Sequence, residues 1–141
     1  MEVQEIFRGR LIDHLQLIVK DLEVSKRFYQ ATLKTLGIEI TEGPSFFFAD
    51  ELFVSSKESE AALGHLTGRT HLAFQAKNEE MVKAFYQAGL KSGGKDNGAP
   101  GPRKYHPGYY AAFLIDPDGN NIEAVYHGEA KRSSDSIRIT F

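Results

Sequence analysis

Residues 14–37 read HLQLIVKDLEVSKRFYQATLKTLG, and residues 71–94 read HLAFQAKNEEMVKAFYQAGLKSGG. At this fixed offset of 57 positions, 12 of the 24 aligned pairs are identical and no gap is needed. A repeat of this length with only two copies indicates a duplicated supersecondary unit rather than a solenoid. Duplication places equivalent side chains across a pseudo-twofold axis, so the histidines that open the copies, His14 and His71, can converge on one point.

Each copy begins as a strand and continues as a helix. In the first copy, Leu15, Leu17 and Val19 share one face of the strand, and the second copy repeats this alternation. Both opening histidines therefore lie on the face opposite the more apolar one. An Asp or Asn that can cap a helix follows each strand, and the pattern then predicts helices over residues 22–36 and 79–92.

Short strands separated by turn residues follow each helix. They are predicted at residues 38–42, 45–49 and 52–55 in the first half and at residues 108–115 and 121–126 in the second. A further strand of the second half, near Lys95, is indistinct because residues 93–107 are rich in Gly, Pro and Asn and are predicted to form a loop.

Each half is therefore a βαβββ unit, which predicts an α+β fold of two tandem modules. The first module spans about residues 10–57, a linker spans 58–68, and the second module spans about 69–128. Residues 136–141 alternate as an additional strand would, but we expect the whole of 129–141 to form a polar tail.

Composition excludes several classes of function. The 141 residues suffice for one domain, and 17 basic against 19 acidic residues give no field that would favour nucleic acid or an anionic membrane. The absence of cysteine excludes disulfides, thiolate catalysis and zinc–cysteine sites. No apolar run approaches the length of a membrane span, and residues 1–10 lack a signal-peptide core, so we expect a cytoplasmic protein.

A carboxylate joins the two histidines on their face. In NIEAVY, residues 121–126, Ile122 and Ala124 take the apolar side, so Glu123 points the same way as His14 and His71. Two imidazoles and one carboxylate on rigid strands form a facial set for a divalent transition metal and leave coordination positions open. We therefore predict one divalent ion, without distinguishing Ni, Zn, Mn or Fe.

The loop that reads KYHPGYY is the most distinctive segment outside this set. His106 is a candidate general acid or base because an imidazole ordinarily titrates near neutrality. Tyr105, Tyr109 or Tyr110 could orient or protonate an oxyanion, and Arg103 could pair with a substrate carboxylate. Packing of aromatic side chains at the start of a strand would explain the same residues without a function. We take as candidate catalytic residues His106, Tyr110 and Arg103.

These features together resemble the vicinal oxygen chelate superfamily, which includes glyoxalase I, extradiol dioxygenases, fosfomycin-resistance thiol transferases and bleomycin-resistance proteins. The resemblance spans about residues 11–128 and rests on the strand histidines, the Phe-Tyr pair of each helix and above all DPDGNNIE at 116–123. It implies two βαβββ modules whose strands form a curved mixed sheet around a metal cleft. Position by position, His14, His71 and Glu123 correspond to the metal ligands of the family.

One position departs from glyoxalase I, which has a second glutamate on the last strand of its first module. The corresponding strand here reads ELFVSS, residues 51–56, and its central position by register is Phe53, which cannot bind a metal. Glu51 could take that place only if the register shifted by one pleat. A set of two histidines and one glutamate is more similar to the dioxygenases and the fosfomycin-type transferases, but it does not choose the reaction.

The resemblance implies a metal-dependent, glyoxalase-like lyase or isomerase that acts on a small substrate chelated through adjacent oxygens. An extradiol-type dioxygenase or a thiol transferase is the enzymatic alternative. A metal-free, resistance-type protein that binds a small molecule is the alternative from another class. Modules of this superfamily often assemble across two subunits, and open sheet edges favour pairing, so we expect a homodimer.

Overall fold

The computed structural model describes residues 5–141, apart from the side chain of Ala61. Within that range the chain forms β1 (Glu5–Arg8), β2 (Leu15–Val19), α1 (Leu22–Lys34), β3 (Thr41–Glu42), β4 (Phe46–Ala49), β5 (Leu52–Ser56), β6 (His71–Gln75), α2 (Glu79–Lys91), β7 (Lys95–Pro102), β8 (Tyr110–Ile115), β9 (Asn121–Tyr126) and β10 (Ile137–Thr140). In the described part of the chain, neither helix is long and apolar enough to cross a membrane.

Two four-stranded sheets repeat the same topology. Their strand orders are β2-β5-β4-β3 and β6-β9-β8-β7. In each sheet the strand before the helix pairs in parallel with the last strand of its module, and the remaining neighbours are antiparallel. Two tandem βαβββ modules, as predicted, account for residues 15–126.

Local side chains define where the helices begin. The Asp21 carboxylate accepts a hydrogen bond from the Val24 amide, and the Asn78 side chain accepts one from the Met81 amide. Each bond satisfies one of the amides that the first turn of a helix leaves without a partner.

The helices lie against one face of each sheet. α1 and α2 contact each other, α1 contacts β5, and α2 contacts β8 and β9. One apolar core joins them and includes Val54 of the first sheet, Phe28 and Phe85 of the helices, and Ile122 of the second sheet. Since His14 and His71 alternate with core residues, each lies on the face of its sheet that is turned away from the helices.

Two expectations for the chain after α2 were wrong. The predicted loop over 93–107 contains the eight-residue strand β7, whose pairing with β8 shifts register on both sides of Gly98. The expected polar tail contains β10, which pairs with β1 in an antiparallel two-stranded sheet. The ends of the described chain are therefore joined to each other.

The turn between β8 and β9 ties the modules together. Tyr29 of α1 donates a hydrogen bond of 2.5 Å to Asp116, and the Lys20 amide donates one of 2.9 Å to Asp118. Asp116 also accepts hydrogen bonds from the amide and the side chain of Asn120. The DPDG turn is thus a structural joint as well as a chain reversal.

Candidate functional site

His71 and Glu123 meet on the open face of the second sheet. They lie on the neighbouring strands β6 and β9, where Ala73 is the partner of Glu123 and His71 is the partner of Asn121. The His71 Nε2 atom is 3.0 Å from Glu123 Oε1. Glu123 is only 2% exposed, although it faces away from the helices.

The contact between these two side chains requires a proton or a cation between His71 Nε2 and Glu123 Oε1. His71 Nδ1 lies 3.0 Å from the main-chain carbonyl of Asn121, which can only accept a hydrogen bond, so Nδ1 carries a proton. In a neutral His71, Nε2 then holds a lone pair that faces an oxygen of Glu123. Two acceptors cannot bond to each other, so either a second proton or a cation lies between them.

Tyr109 completes the surroundings of Glu123. Its hydroxyl donates a hydrogen bond to Glu123 Oε2, the oxygen that His71 does not contact. Burial, reinforced by the Glu123 carboxylate, raises the pKa of Tyr109 above its ordinary value. Tyr109 is therefore a hydrogen-bond donor at neutral pH, and both oxygens of the buried carboxylate have a partner.

Tyr110, the tyrosine included among the candidate catalytic residues, points to the other face of the second sheet, although it lines the same open pocket as Tyr109. It pairs in register with Tyr126 and is partly buried against the helix-facing core. The reason is that Tyr110 alternates in step with Ala112 and Leu114, which lie in the core, whereas Tyr109 takes the opposite side, where Glu123 lies. Among the tyrosines of the loop, Tyr109 is the one whose hydroxyl is bonded to Glu123.

His106 has a partner that the sequence did not indicate. His106 Nε2 lies 2.9 Å from Nδ1 of His127, the residue that follows β9. The two segments meet because Gly108 and Gly128 pack backbone against backbone. A Cβ atom at Gly128 would lie 2.9 Å from the Gly108 Cα atom. No local sequence signal joins residues that are 21 positions apart.

Arg103 lies beside the same face of the second sheet. Its guanidinium is 5.3 Å from the ring centre of Phe113, and the ring of Phe113 stacks at 6.0 Å on that of His71. The guanidinium donates hydrogen bonds of 2.8 Å to the carbonyls of Ala99 and Gly101, which hold it in place. Arg103 thus supplies a fixed positive charge over the ring of Phe113, on which His71 stacks.

An open pocket of about 470 Å³ adjoins this loop. Arg103, His106 and Tyr109 line it together with Glu79 at the start of α2. Tyr110 lines the pocket too, so the candidate catalytic residues Arg103, His106 and Tyr110 all border one space.

His14 occupies the matching place on the first sheet. The Leu15 amide bonds to the Glu51 carbonyl, and Gln16 pairs with Phe53 as Ala73 pairs with Glu123. His14 Nδ1 lies 2.7 Å from the carboxylate of Asp13, and this hydrogen bond lowers the pKa of Asp13. The contact leaves His14 Nε2 directed elsewhere.

A single chain does not bring the three predicted ligands together. Among residues 5–141, no three His, Asp or Glu side chains are grouped closely enough to hold a metal ion. Two of the three predicted ligands, His71 and Glu123, lie on the second sheet, and His14 lies beside the first. A site that contains all three predicted ligands would need the surfaces of both sheets to face each other.

Phe53 takes the position that Glu123 has in the other module. Its ring stacks at 5.0 Å on Phe48 and meets the ring of His14 edge-on at 5.6 Å. Phe46 stacks on both of its phenylalanine neighbours. The first sheet therefore offers one imidazole beside an aromatic surface, where the second offers an imidazole beside a carboxylate.

Comparison with known proteins identifies a family. Residues 11–124 match the family model of the Glyoxalase/Bleomycin resistance protein/Dioxygenase superfamily. A glyoxalase/bleomycin resistance protein from Albidiferax ferrireducens T118 is 34% identical, with a TM-score of 0.67 over 82% of this chain and 98% of that one. No curated protein sequence matches the chain.

Two more distant solved structures share the fold. A glyoxalase/bleomycin resistance protein/dioxygenase family enzyme from Burkholderia phytofirmans PsJN is 20% identical, with a TM-score of 0.64 over 82% of this chain and 97% of that one. A lactoylglutathione lyase from Agrobacterium tumefaciens is 18% identical, with a TM-score of 0.59 over 84% of this chain and 94% of that one. At these identities the likeness concerns the fold alone.

Proposed function

This chain belongs to the Glyoxalase/Bleomycin resistance protein/Dioxygenase superfamily, and on that premise we propose that it is a metal-dependent, glyoxalase-like enzyme. It acts as a lyase or isomerase on a small substrate that presents two adjacent oxygens. The observation that carries this proposal is the meeting of His71 Nε2 and Glu123 Oε1 at 3.0 Å on an open sheet face.

The donor set fits a divalent ion. A metal-bound histidine usually donates its second ring N–H to a carbonyl or carboxylate, and metal-bound carboxylates are themselves hydrogen-bonded. His71 bonds to the Asn121 carbonyl, Glu123 accepts from Tyr109, and His14 contacts the Asp13 carboxylate. Each proposed ligand therefore has the outer partner that metal ligation requires.

A second copy of the chain supplies the third ligand. His14 lies on a different sheet from His71 and Glu123, and both sheets turn these faces away from the helices. In a twofold dimer, the first sheet of each protomer would cover the second sheet of its partner and create two identical sites. We therefore propose a homodimer whose metal sites each combine residues of both chains.

The remaining side chains bind and orient the substrate. When bound, a divalent ion supplies a Lewis acid for two neighbouring substrate oxygens. Arg103 attracts a negatively charged substrate group, since its guanidinium is fixed over Phe113 and borders the open pocket. Tyr109 holds Glu123 in orientation and, as a protonated hydroxyl, can also donate to a substrate oxygen. His106 lines the pocket and is the candidate general acid or base.

Metal content of the purified protein tests this proposal. After reconstitution with Ni²⁺, Zn²⁺, Mn²⁺ or Fe²⁺ and removal of excess ion, we expect about one ion per chain. His71→Ala and Glu123→Gln should lose it, whereas the matched control His65→Ala should keep it because His65 lies in the linker. Equal and negligible binding by wild type and His71→Ala would favour the metal-free alternative.

A mixing experiment tests whether the sites combine two chains. His14→Ala and Glu123→Ala proteins are unfolded and refolded together, so that about half of the dimers contain one chain of each kind. If the ligands come from both chains, each mixed dimer has one intact site and the mixture recovers about a quarter of the wild-type metal capacity. If all ligands came from one chain, the mixture would bind no more than either variant alone.

A metal-free binding protein is the second candidate function. The aromatic surface of Phe46, Phe48 and Phe53 beside His14 favours it, because stacked rings bind flat apolar ligands without metal chemistry. Under this alternative, ligand affinity does not change when metal is removed with a chelator. Under the enzyme proposal, the chelator abolishes turnover and substrate binding weakens.

A further inference from the structure

Two exposed histidines beside the site point at each other. His106 Nε2 and His127 Nδ1 are 2.9 Å apart, while the ring centres are 5.1 Å apart, so the nitrogens face one another nearly head-on. Two ligands of one metal ion would instead aim their lone pairs at a third point between them. The geometry is therefore that of an imidazole–imidazole hydrogen bond.

The neighbouring carbonyl determines where the protons are. His106 Nδ1 lies 2.9 Å from the Pro107 carbonyl, which only accepts, so His106 carries its proton on Nδ1. Its Nε2 atom then accepts from His127, which must also carry its proton on Nδ1. The lone pair left over in this arrangement is on His127 Nε2.

We propose that His106 and His127 form one proton-accepting unit. His127 Nε2 receives the proton, and the positive charge can then reside on His106, whose Nδ1–H is bonded to the Pro107 carbonyl. When a proton binds at His127 Nε2, the shared proton between the rings can move to His106 Nε2 and leave His127 neutral. The unit holds one extra proton with every hydrogen bond intact. A second would place two cations head-on and break the bond between them.

Tyr109 connects this unit to the proposed metal site. Its ring meets the rings of His106 and His127 edge-on, at 5.2 and 5.6 Å, and its hydroxyl donates to Glu123. His127 follows β9 directly, so alternation brings it to the face that carries Glu123. The unit can thus remove a proton from a weakly acidic C–H or O–H next to the substrate oxygens. This assignment rests on the proposed function for its catalytic use, but not for its proton arrangement.

The proton arrangement is tested by NMR of the imidazole nitrogens. Correlating ring nitrogens with ring carbon-bound protons distinguishes the two neutral forms of each histidine. We expect the Nδ1–H form for His106 and His127 in wild type, whereas free histidine prefers Nε2–H. The linker residue His65 serves as the internal reference. An Nε2–H form at either His106 or His127 would overturn the proposal.

Variants of His106 test whether this side chain determines the proton position of His127. His106→Gln keeps a side-chain acceptor for His127 and should preserve its Nδ1–H form, whereas His106→Ala should return His127 to Nε2–H. The same result is expected in Glu123→Gln protein and in metal-free protein. The proposed proton arrangement would therefore hold even if the protein bound no metal. If His106→Ala left His127 unchanged, His106 would not determine its proton position.

Chemical reactivity tests which nitrogen is available. Diethylpyrocarbonate transfers an ethoxycarbonyl group to a ring nitrogen that has a free lone pair, with release of ethanol and carbon dioxide. Peptide mapping after partial reaction of wild type should find His127 modified before His106, and prior modification of His127 should abolish turnover once a substrate is identified. Earlier modification of His106 would contradict the assignment of the free lone pair.

Discussion

At the scale of single residues, the two modules differ most at one matched position. Glu123 pairs with Ala73 in the second sheet, and Phe53 pairs with Gln16 in the first. The Glu123 side chain is buried, while the ring of Phe53 is half-buried and stacks on Phe48. Duplication therefore kept the backbone position and changed the chemistry, which reduces the proposed metal site by one ligand.

We predict that Phe53→Glu creates that ligand. Without metal, an unpaired and partly buried carboxylate should destabilise the variant relative to wild type. With metal, coordination should offset this cost, and an ion at about 100 times its dissociation constant stabilises the folded state by about 2.7 kcal/mol. Thermal unfolding with and without Ni²⁺, Mn²⁺ or Zn²⁺ should show a larger metal-dependent rise in melting temperature for the variant than for wild type.

The matched control for this change is Phe53→Gln, because glutamine has the length of glutamate but no charge. It should show no added metal-dependent stabilisation. Equal responses of Phe53→Glu and wild type to all three ions would mean that Phe53 does not face the metal.

The residues that alternation alone can place were predictable. Strand periodicity put His14, His71 and Glu123 on their faces, and together with the resemblance to glyoxalase I it identified Phe53 as the substituted position. Tyr109 was not distinguishable from Tyr110, because YAAFLI is apolar on both faces and alternation does not show which of the two tyrosines points inward. The pairing of His106 with another histidine depends on a contact between distant loops, which no local pattern encodes.

At the scale of elements, the duplicated strand and helix of each module were predictable because each carries a cap and a clear period. β7 was not, since KDNGAPGP contains residues that are depleted in strands. It forms nevertheless because it lies at the edge of its sheet, where proline and register shifts are tolerated. β10 was missed because its partner, β1, is at the other end of the chain.

The loop that carries His106 is held by a contact that only glycine permits. Gly108 and Gly128 both have positive φ, at 85° and 71°, and their backbones touch. We predict that Gly128→Ala costs about 1–2 kcal/mol from the backbone conformation and more from displacing the loop. Urea unfolding measures the total, and the imidazole NMR signals of His106 and His127 should change with it.

Gly37→Ala is the matched control for that change. Gly37 has φ of 78°, but a Cβ atom there would meet nothing within 4 Å. It should therefore cost only the backbone amount and leave the two histidines undisturbed. Equal losses for both variants would show that the contact with Gly108 does not hold the loop.

At the scale of the whole molecule, the two modules are joined through their helices and the DPDG turn rather than through their sheets. Tyr29 is completely buried in the shared core and donates its hydroxyl proton to Asp116. Both sheets consequently keep an outward face, and these are the faces that carry the histidines. The way the modules join is thus the structural reason for proposing that two chains complete one site.

The last prediction concerns this joint and its response to pH. Tyr29→Phe removes one hydrogen bond to a buried carboxylate, which should cost about 2 kcal/mol at pH 7. Burial, reinforced by Asp116, raises the pKa of Tyr29 well above its ordinary value of 10.0. Below that value the tyrosine is protonated in both folded and unfolded chains, so its contribution to stability is complete. Above pH 10, the tyrosine loses its hydroxyl proton in the unfolded chain but keeps it in the folded one. Wild type therefore becomes less stable as the pH rises, whereas Tyr29→Phe is unaffected by this ionisation.

The gap between wild type and Tyr29→Phe should therefore narrow between pH 7 and about pH 11, as measured by urea unfolding at both values. Groups that titrate identically in the two proteins cancel in this difference. Tyr105→Phe is the control, because Tyr105 is 73% exposed and its replacement should change stability little at either pH. A gap that stayed constant up to pH 11 would mean that the folded and unfolded chains ionise Tyr29 alike, and that the hydroxyl is not held against Asp116 at the joint between the modules.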